Sequence, residues 1–125
     1  MPTFVPSHRI LVNKAAYALR PPKTGDIVVL RHPETGATLV KRVVAGGESE
    51  VTMRYGRLFV DNKPVLSVSG KDIMNDTQLA QWRVPKNSFF VAGDNLHAST
   101  DSRHFGCVAR RHIQGKVVGS FLMEE

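Results

Sequence analysis

Short apolar runs rich in β-branched residues recur along the chain, and glycine, proline, asparagine or aspartate closes each of them. "RILVN" at 9–13 opens as a strand, and "KAAYAL" at 14–19 either continues it or makes one helical turn. "RPPKTGD" at 20–26 is a loop, because paired prolines remove backbone donors and Gly-Asp turns the chain. "IVVLR" at 27–31 is a strand of the buried kind, and "HPETGA" turns into a second strand, "TLVKRVVA", at 38–45. "VTMR" and "RLFVD" flank Tyr55-Gly56 as a tight hairpin. From 63 to 83 the chain is polar and non-periodic, which predicts a surface excursion, centred on 66–83, rather than a second domain. "SFFVAG" at 88–93 is a strand, 94–106 a loop, and "IQGKVVGSF" at 113–121 the closing strand. The expectation is a single all-β domain of short antiparallel strands with long loops.

Composition narrows the partners rather than the fold. The 125 residues suffice for one real core, and 42% apolar with 22% charged residues is an ordinary globular balance. A net charge of +6 and a pI near 9.9 favour anionic neighbours, either nucleic acid or an acidic lipid surface. The single Cys107 excludes an internal disulfide. No apolar run approaches the ~20 residues of a membrane-spanning helix, and "MPTFVPSHR" lacks the apolar centre of a signal peptide, so the chain as written reads as soluble.

Two stretches carry candidate chemistry. In the strand at 38–45, alternation puts Leu39, Lys41 and Val43 on one face and Val40, Arg42 and Val44 on the other. Lys41 is then either an edge lysine whose ammonium reaches water, or a desolvated one whose charged form is disfavoured. A neutral lysine is a competent general base for a serine hydroxyl, whereas Arg42 stays charged and suits a carboxylate partner. The second stretch, "GDNLHASTDSRHFG" at 93–106, crowds Asp94, Asn95, Ser99, Asp101, Ser102 and Arg103 together. It is either a self-satisfied surface turn or a loop that fixes a charged group through hydrogen bonds and an Asp–Arg pair.

Other signals are bland. His8, His32, His97, His104 and His112 are scattered without zinc-site spacing, so no metal is expected. "AGGE" is a lone glycine pair, and neither a dinucleotide fingerprint nor a phosphate loop occurs. "ARRH" at 109–112 is a small basic cluster of solvated type. The few aromatic residues are not interleaved with basic ones, which argues against a nucleic-acid platform.

Together these segments resemble the type I signal peptidases, the membrane-tethered serine–lysine endopeptidases. "MPTF" at 1–4 resembles the end of a Ser-Met-x-Pro-Thr-Leu block, and "KTGDIVVLRHP" the block written with Arg-Gly-Asp-Ile-Val. "VKRVVAGGE" resembles the Lys-Arg-Val-Ile-Gly block, "RLFVDNKPV" the hairpin ending Asn-Gly-Lys-Pro-Val, and 93–106 the Gly-Asp-Asn…Ser-x-Asp-Ser-Arg-x-x-Gly block. The likeness implies a signal-peptidase-like β fold and removal of signal peptides with small residues at −1 and −3, next to an anionic membrane surface on the extracytoplasmic side. It implies no cofactor. By position Lys41 falls on the general base, Ser99 on the hydroxyl that orients it, and Asp101 and Arg103 on the pair that shapes the loop, with Asp94, Asn95 and Ser102 beside them.

One departure matters. The family's nucleophilic serine sits two residues before the position of Met1, so Met1, Pro2 and Thr3 would flank a residue this sequence does not contain. Ser7 falls where the family has a small turn residue. A truncated or mis-started sequence, a non-catalytic peptide-binding relative, and a recruited nucleophile all fit; the intact lysine and Ser99 blocks favour the first.

Overall fold

The structure, a computed structural model, describes residues 8–65, 79–93 and 100–122. It is built mostly of antiparallel strands with almost no helix, as the run-and-turn pattern predicts. The buried run became β2 (Ile27–Arg31), and the cationic strand became β3 (Thr38–Ala45). β3 pairs on one side with β2 and on the other with β8 (Ser88–Ala92). β1 (His8–Asn13), β10 (Ile113–Leu122) and β9 (Val108–Ala109) complete a six-stranded sheet in the order β1-β10-β2-β3-β8-β9.

A second sheet, in the order β6-β5-β4-β7, grows from two tight hairpins. β4 (Glu50–Arg54) and β5 (Arg57–Val60) are joined by Tyr55-Gly56, with φ of 52° and 77°. β5 and β6 (Lys63–Pro64) are joined by Asp61-Asn62, with φ of 49° and 69°. Paired left-handed residues match the twist of the flanking strands, which makes these the favoured two-residue connections. β7 (Leu79–Arg83) pairs with the free side of β4. Here the excursion expected over 66–83 is corrected at its end. Residues 79–83 are a strand, because Trp82 turns inward and packs on Phe90 with ring centroids 5.1 Å apart. Residues 66–78 lie outside the described part.

Alternation along β8 splits the core in two. Phe90 and Ala92 face the second sheet and meet Val51, Met53, Leu58 and Val84. Phe89 and Val91 face the other way and meet Val28, Leu30, Val43 and Val108, with Tyr17 and Phe105 packed over them. A bulge between Val43 and Ala45 turns both Val44 and Ala45 toward the first of these cores. The strand carrying Lys41 is thus buried against both cores from Val43 onward, while Val40 beside the lysine stays 46% exposed.

Gly115 on β10 lies tight against the end of β1. A Cβ there would sit 2.7 Å from Val12 Cγ1 and 3.0 Å from the Asn13 carbonyl oxygen, and that backbone cannot swing aside. We expect Gly115→Ala to cost about 1–3 kcal/mol through overpacking. Chemical denaturation would measure it, and an unchanged midpoint would show that β1 yields freely.

Candidate active site

Two backbone N–H groups along the outer edge of β8, those of Val91 and Gly93, need acceptors once β9 runs out. Phe89 lies opposite Val108 of β9. Beyond it, side chains take over. Ser102 Oγ accepts from the Val91 N–H at 2.9 Å, and Asp101 Oδ2 accepts from the Gly93 N–H at 3.2 Å. Both residues are fully buried. The expected loop over 94–106 therefore contains a single helical turn, α1 (Ser102–Phe105), set against the sheet edge.

Asp101 caps that turn. Its Oδ1 accepts from the Arg103 N–H at 3.1 Å, and the His104 Nδ1 accepts from the Asp101 N–H at 3.2 Å, a reciprocal capping box. Arg103 closes on the same carboxylate with Nε to Oδ1 at 2.9 Å and Nη2 to Oδ2 at 3.1 Å. A buried carboxylate tolerates desolvation only with such a set of charge-assisted donors. The residue order Asp-Ser-Arg is what allows one short segment to cap a helix, satisfy a sheet edge and pair a charge.

Lys41 is half-buried on β3, directly opposite Val28, with Leu39 opposite Leu30. Val43, two residues on, is opposite Val91. The lysine thus shares a face with the core beneath Tyr17 and Phe105, as alternation predicts. A hollow of about 180 Å³ lies beside it, lined by Ile27, Val40, Lys41, Arg42, Ala92 and Gly93. Gly93 links the two features, since it lines the hollow and its N–H is held by Asp101. Arg42 sits between Ile27 and Ala92 on the other face, and its Nη1 donates to the Gly25 carbonyl at 3.1 Å.

A third cluster escaped the sequence reading. Tyr17 Oη donates to Asp26 Oδ2 at 2.8 Å, the Lys23 N–H donates to the same oxygen at 3.1 Å, and Lys116 Nζ lies 3.7 Å from Oδ1. Lys116 is also opposite Val28, so it and Lys41 flank that valine on one face. Arg110 Nη2 donates to the Tyr17 carbonyl at 2.7 Å and holds the 14–20 segment down. Burial works against the Asp26 anion, but the Lys23 N–H, the Tyr17 hydroxyl, Lys116 and Arg20 outweigh it and hold the carboxyl below its ordinary range. Burial, followed by the bond to Asp26, pushes the Tyr17 phenol up. Contacts across nine and ninety residues leave no local signature, which is why only the fold displays them.

Of the residues singled out by sequence, Lys41, Asp101, Ser102 and Arg103 are described. Ser99, Asp94, Asn95, Met1, Pro2, Thr3 and Ser7 lie outside the described residues. Among the described residues, no three His, Cys, Asp or Glu side chains are grouped to hold a metal, and no helix is long and apolar enough to cross a membrane.

This fold class is that of signal peptidase I. The crystal structure of a signal peptidase I from Enterococcus faecalis superposes with a TM-score of 0.65 at 24% identity, covering 79% of this chain and 98% of that one. The sequence model of the family described as "Signal peptidase, peptidase S26" matches residues 1–122, and the chain belongs to that family. It is 32% identical over 129 residues to signal peptidase I of Leptolyngbya laminosa, covering 97% of this chain and 63% of that protein. It is 33% identical to Signal peptidase I V of Bacillus subtilis, covering 93% and 76%. Against the chloroplastic thylakoidal processing peptidase 1 of Arabidopsis thaliana it is 31% identical, covering 94% and 37%. The chain thus spans under two thirds of the length of some of these relatives.

Two stability predictions follow from the geometry. Ser102→Ala strands the Val91 N–H inside the protein and should cost about 1–3 kcal/mol in urea unfolding; no loss would mean that the sheet edge does not need this acceptor. The depressed Asp26 carboxyl contributes stability that is fully present above about pH 4, its ordinary value, and fades as pH falls through the lower folded-state value. The thermal midpoint of Asp26→Asn should accordingly change less than wild type over that acid limb. Parallel curves for the two proteins would remove Asp26 from the acid response.

Proposed function

We propose that this chain is the core of an endopeptidase that removes signal peptides from secretory preproteins by serine–lysine chemistry. The observation that supports the reading is Lys41, half-buried opposite Val28 and lining one hollow with Gly93, whose N–H is held by Asp101. In the proposed reaction the uncharged Lys41 amine takes the proton of a serine hydroxyl as it attacks the peptide carbonyl, then passes it to the leaving amine. Backbone donors near the serine stabilise the oxyanion.

The nucleophile belongs to a segment ahead of Met1, and Ser99, in the stretch between Gly93 and Asp101, orients the lysine. Asp101, Ser102 and Arg103 act at one remove, by fixing the first turn of α1 to the edge of β8. Small residues at −1 and −3 of the substrate suit a narrow site, and an extended peptide laid beside β strands suits this architecture. The enzyme works on the extracytoplasmic side of a membrane with its catalytic part against anionic lipid.

The test uses a version extended upstream to include the serine, alongside the 125-residue chain. The extended protein should cleave a preprotein and the 125-residue chain should not. Lys41→Ala in the extended protein should lower turnover at least ~100-fold with unfolding unchanged, and Lys41→Arg should be as inactive, since arginine cannot give up its proton. An active Lys41→Arg enzyme would refute the base assignment. Cleavage by the 125-residue chain that Ser7→Ala or Ser99→Ala removes would instead reveal a recruited nucleophile.

A further inference from the structure

The second sheet has an outer face that packs against nothing among the described residues. Val51, Met53 and Leu58 turn inward, so Thr52 and Arg54 of β4, Arg57 and Phe59 of β5, and Leu79 and Gln81 of β7 point out. The charged and apolar groups on this face concentrate at its hairpin end. Arg54 and Arg57 are cross-strand neighbours that flank the Tyr55-Gly56 turn, and Leu79 lies opposite Arg54 on β7. Tyr55 is 66% exposed and Leu79 is 68% exposed.

Nothing in the described residues neutralises this end. Neither Arg54 nor Arg57 forms an ion pair there. Instead the Arg54 guanidinium lies over the Phe59 ring, 4.2 Å from its centroid, and its Nε is buried without a hydrogen-bond partner. The ring holds the cation in place, and no carboxylate among the described residues compensates it. Two like charges placed opposite each other on adjacent strands are unfavourable unless an anion joins them. Alongside is a hollow of about 230 Å³ lined by Thr52, Arg54, Leu79, Ala80 and Gln81, which brings a hydroxyl and an amide next to the guanidinium.

We propose that this hairpin end docks on an anionic phospholipid bilayer, with Tyr55 and Leu79 in the interfacial layer and Arg54 and Arg57 on lipid phosphates. Exposed apolar side chains between cations fit a surface that is apolar inside and anionic at its rim. A nucleic acid would match the arginines but leave Leu79 without a partner, and one tyrosine is no base-stacking platform. The net charge of +6 draws the whole molecule toward such a surface, while this cluster sets which end arrives first. The inference rests on the reading that the catalytic part lies against anionic lipid and names the surface that meets it; it is independent of the role given to Lys41 and needs no activity to test.

The experiment is co-sedimentation of the 125-residue chain with vesicles of phosphatidylcholine containing phosphatidylglycerol, and with pure phosphatidylcholine vesicles. Wild type should bind the anionic vesicles and release them as salt rises. Arg54→Gln with Arg57→Gln should weaken binding about 25-fold, at about fivefold per arginine near the surface. Tyr55→Ser with Leu79→Ser should weaken it about tenfold while preserving the salt dependence. Lys14→Gln with Lys86→Gln, an equal change of charge elsewhere, should cost less than about threefold at the same salt. Arg57→Gln alone, at an exposed position, repeats the arginine test if the double variant unfolds. Equal losses for the arginine and lysine pairs, or equal binding to both kinds of vesicle, would overturn the proposal. So would a single-stranded RNA that binds through Arg54 and Arg57 when the vesicles do not.

Discussion

The outer edge of β8 is the constraint from which the rest of the site follows. A sheet edge buried without acceptors is costly, and a two-residue partner strand covers only its beginning. Asp101 and Ser102 supply what a longer strand would have supplied, and they do so from the first turn of a helix whose cap is the same aspartate. A carboxylate at that depth then requires its own compensation, which Arg103 provides with two bonds. Each element of the Asp-Ser-Arg segment is therefore determined by the one before it.

Through Gly93 this edge is joined to the strand that carries the lysine. β3 lies between β2 and β8, and Lys41 sits opposite Val28 of β2, one residue before the pairing with β8 begins at Arg42. Beyond the lysine the strand is a continuous apolar run, Val43 to Ala45, buried against both cores. The hollow beside this stretch lies mainly on the Arg42 face, walled by Ile27, Val40, Arg42 and Ala92. Tyr17, Asp26 and Lys116 close the Lys41 face farther along, tying the 14–20 segment over the core.

The second sheet separates inside from outside by the same alternation. Its inner residues complete the core under Phe90, and its outer residues gather cations and exposed apolar groups at one hairpin end. Nothing in the packing of the sheet requires Arg54 and Arg57 to be opposite each other. Their juxtaposition is a consequence of a two-residue turn, which fixes the register of every pair behind it.

Local chemistry made much of this legible in the sequence. β-branched runs with period-two alternation marked β2, β3, β8 and β10, and Tyr55-Gly56 marked a hairpin, because strand and turn preferences act over a few residues. The lysine on β3 and the crowded segment at 101–103 stood out for the same reason: their residue types are wrong for their surroundings. Tertiary structure alone decided the rest. β7 was read as part of an excursion because one inward tryptophan in "LAQWR" is a weak period, and only pairing with β4 makes it a strand. Asp26 looked like a turn residue until Tyr17 and Lys116 met it across the fold. The tie between Gly93 and Asp101 likewise depends on where β9 stops, a property of two strands together that neither segment encodes on its own.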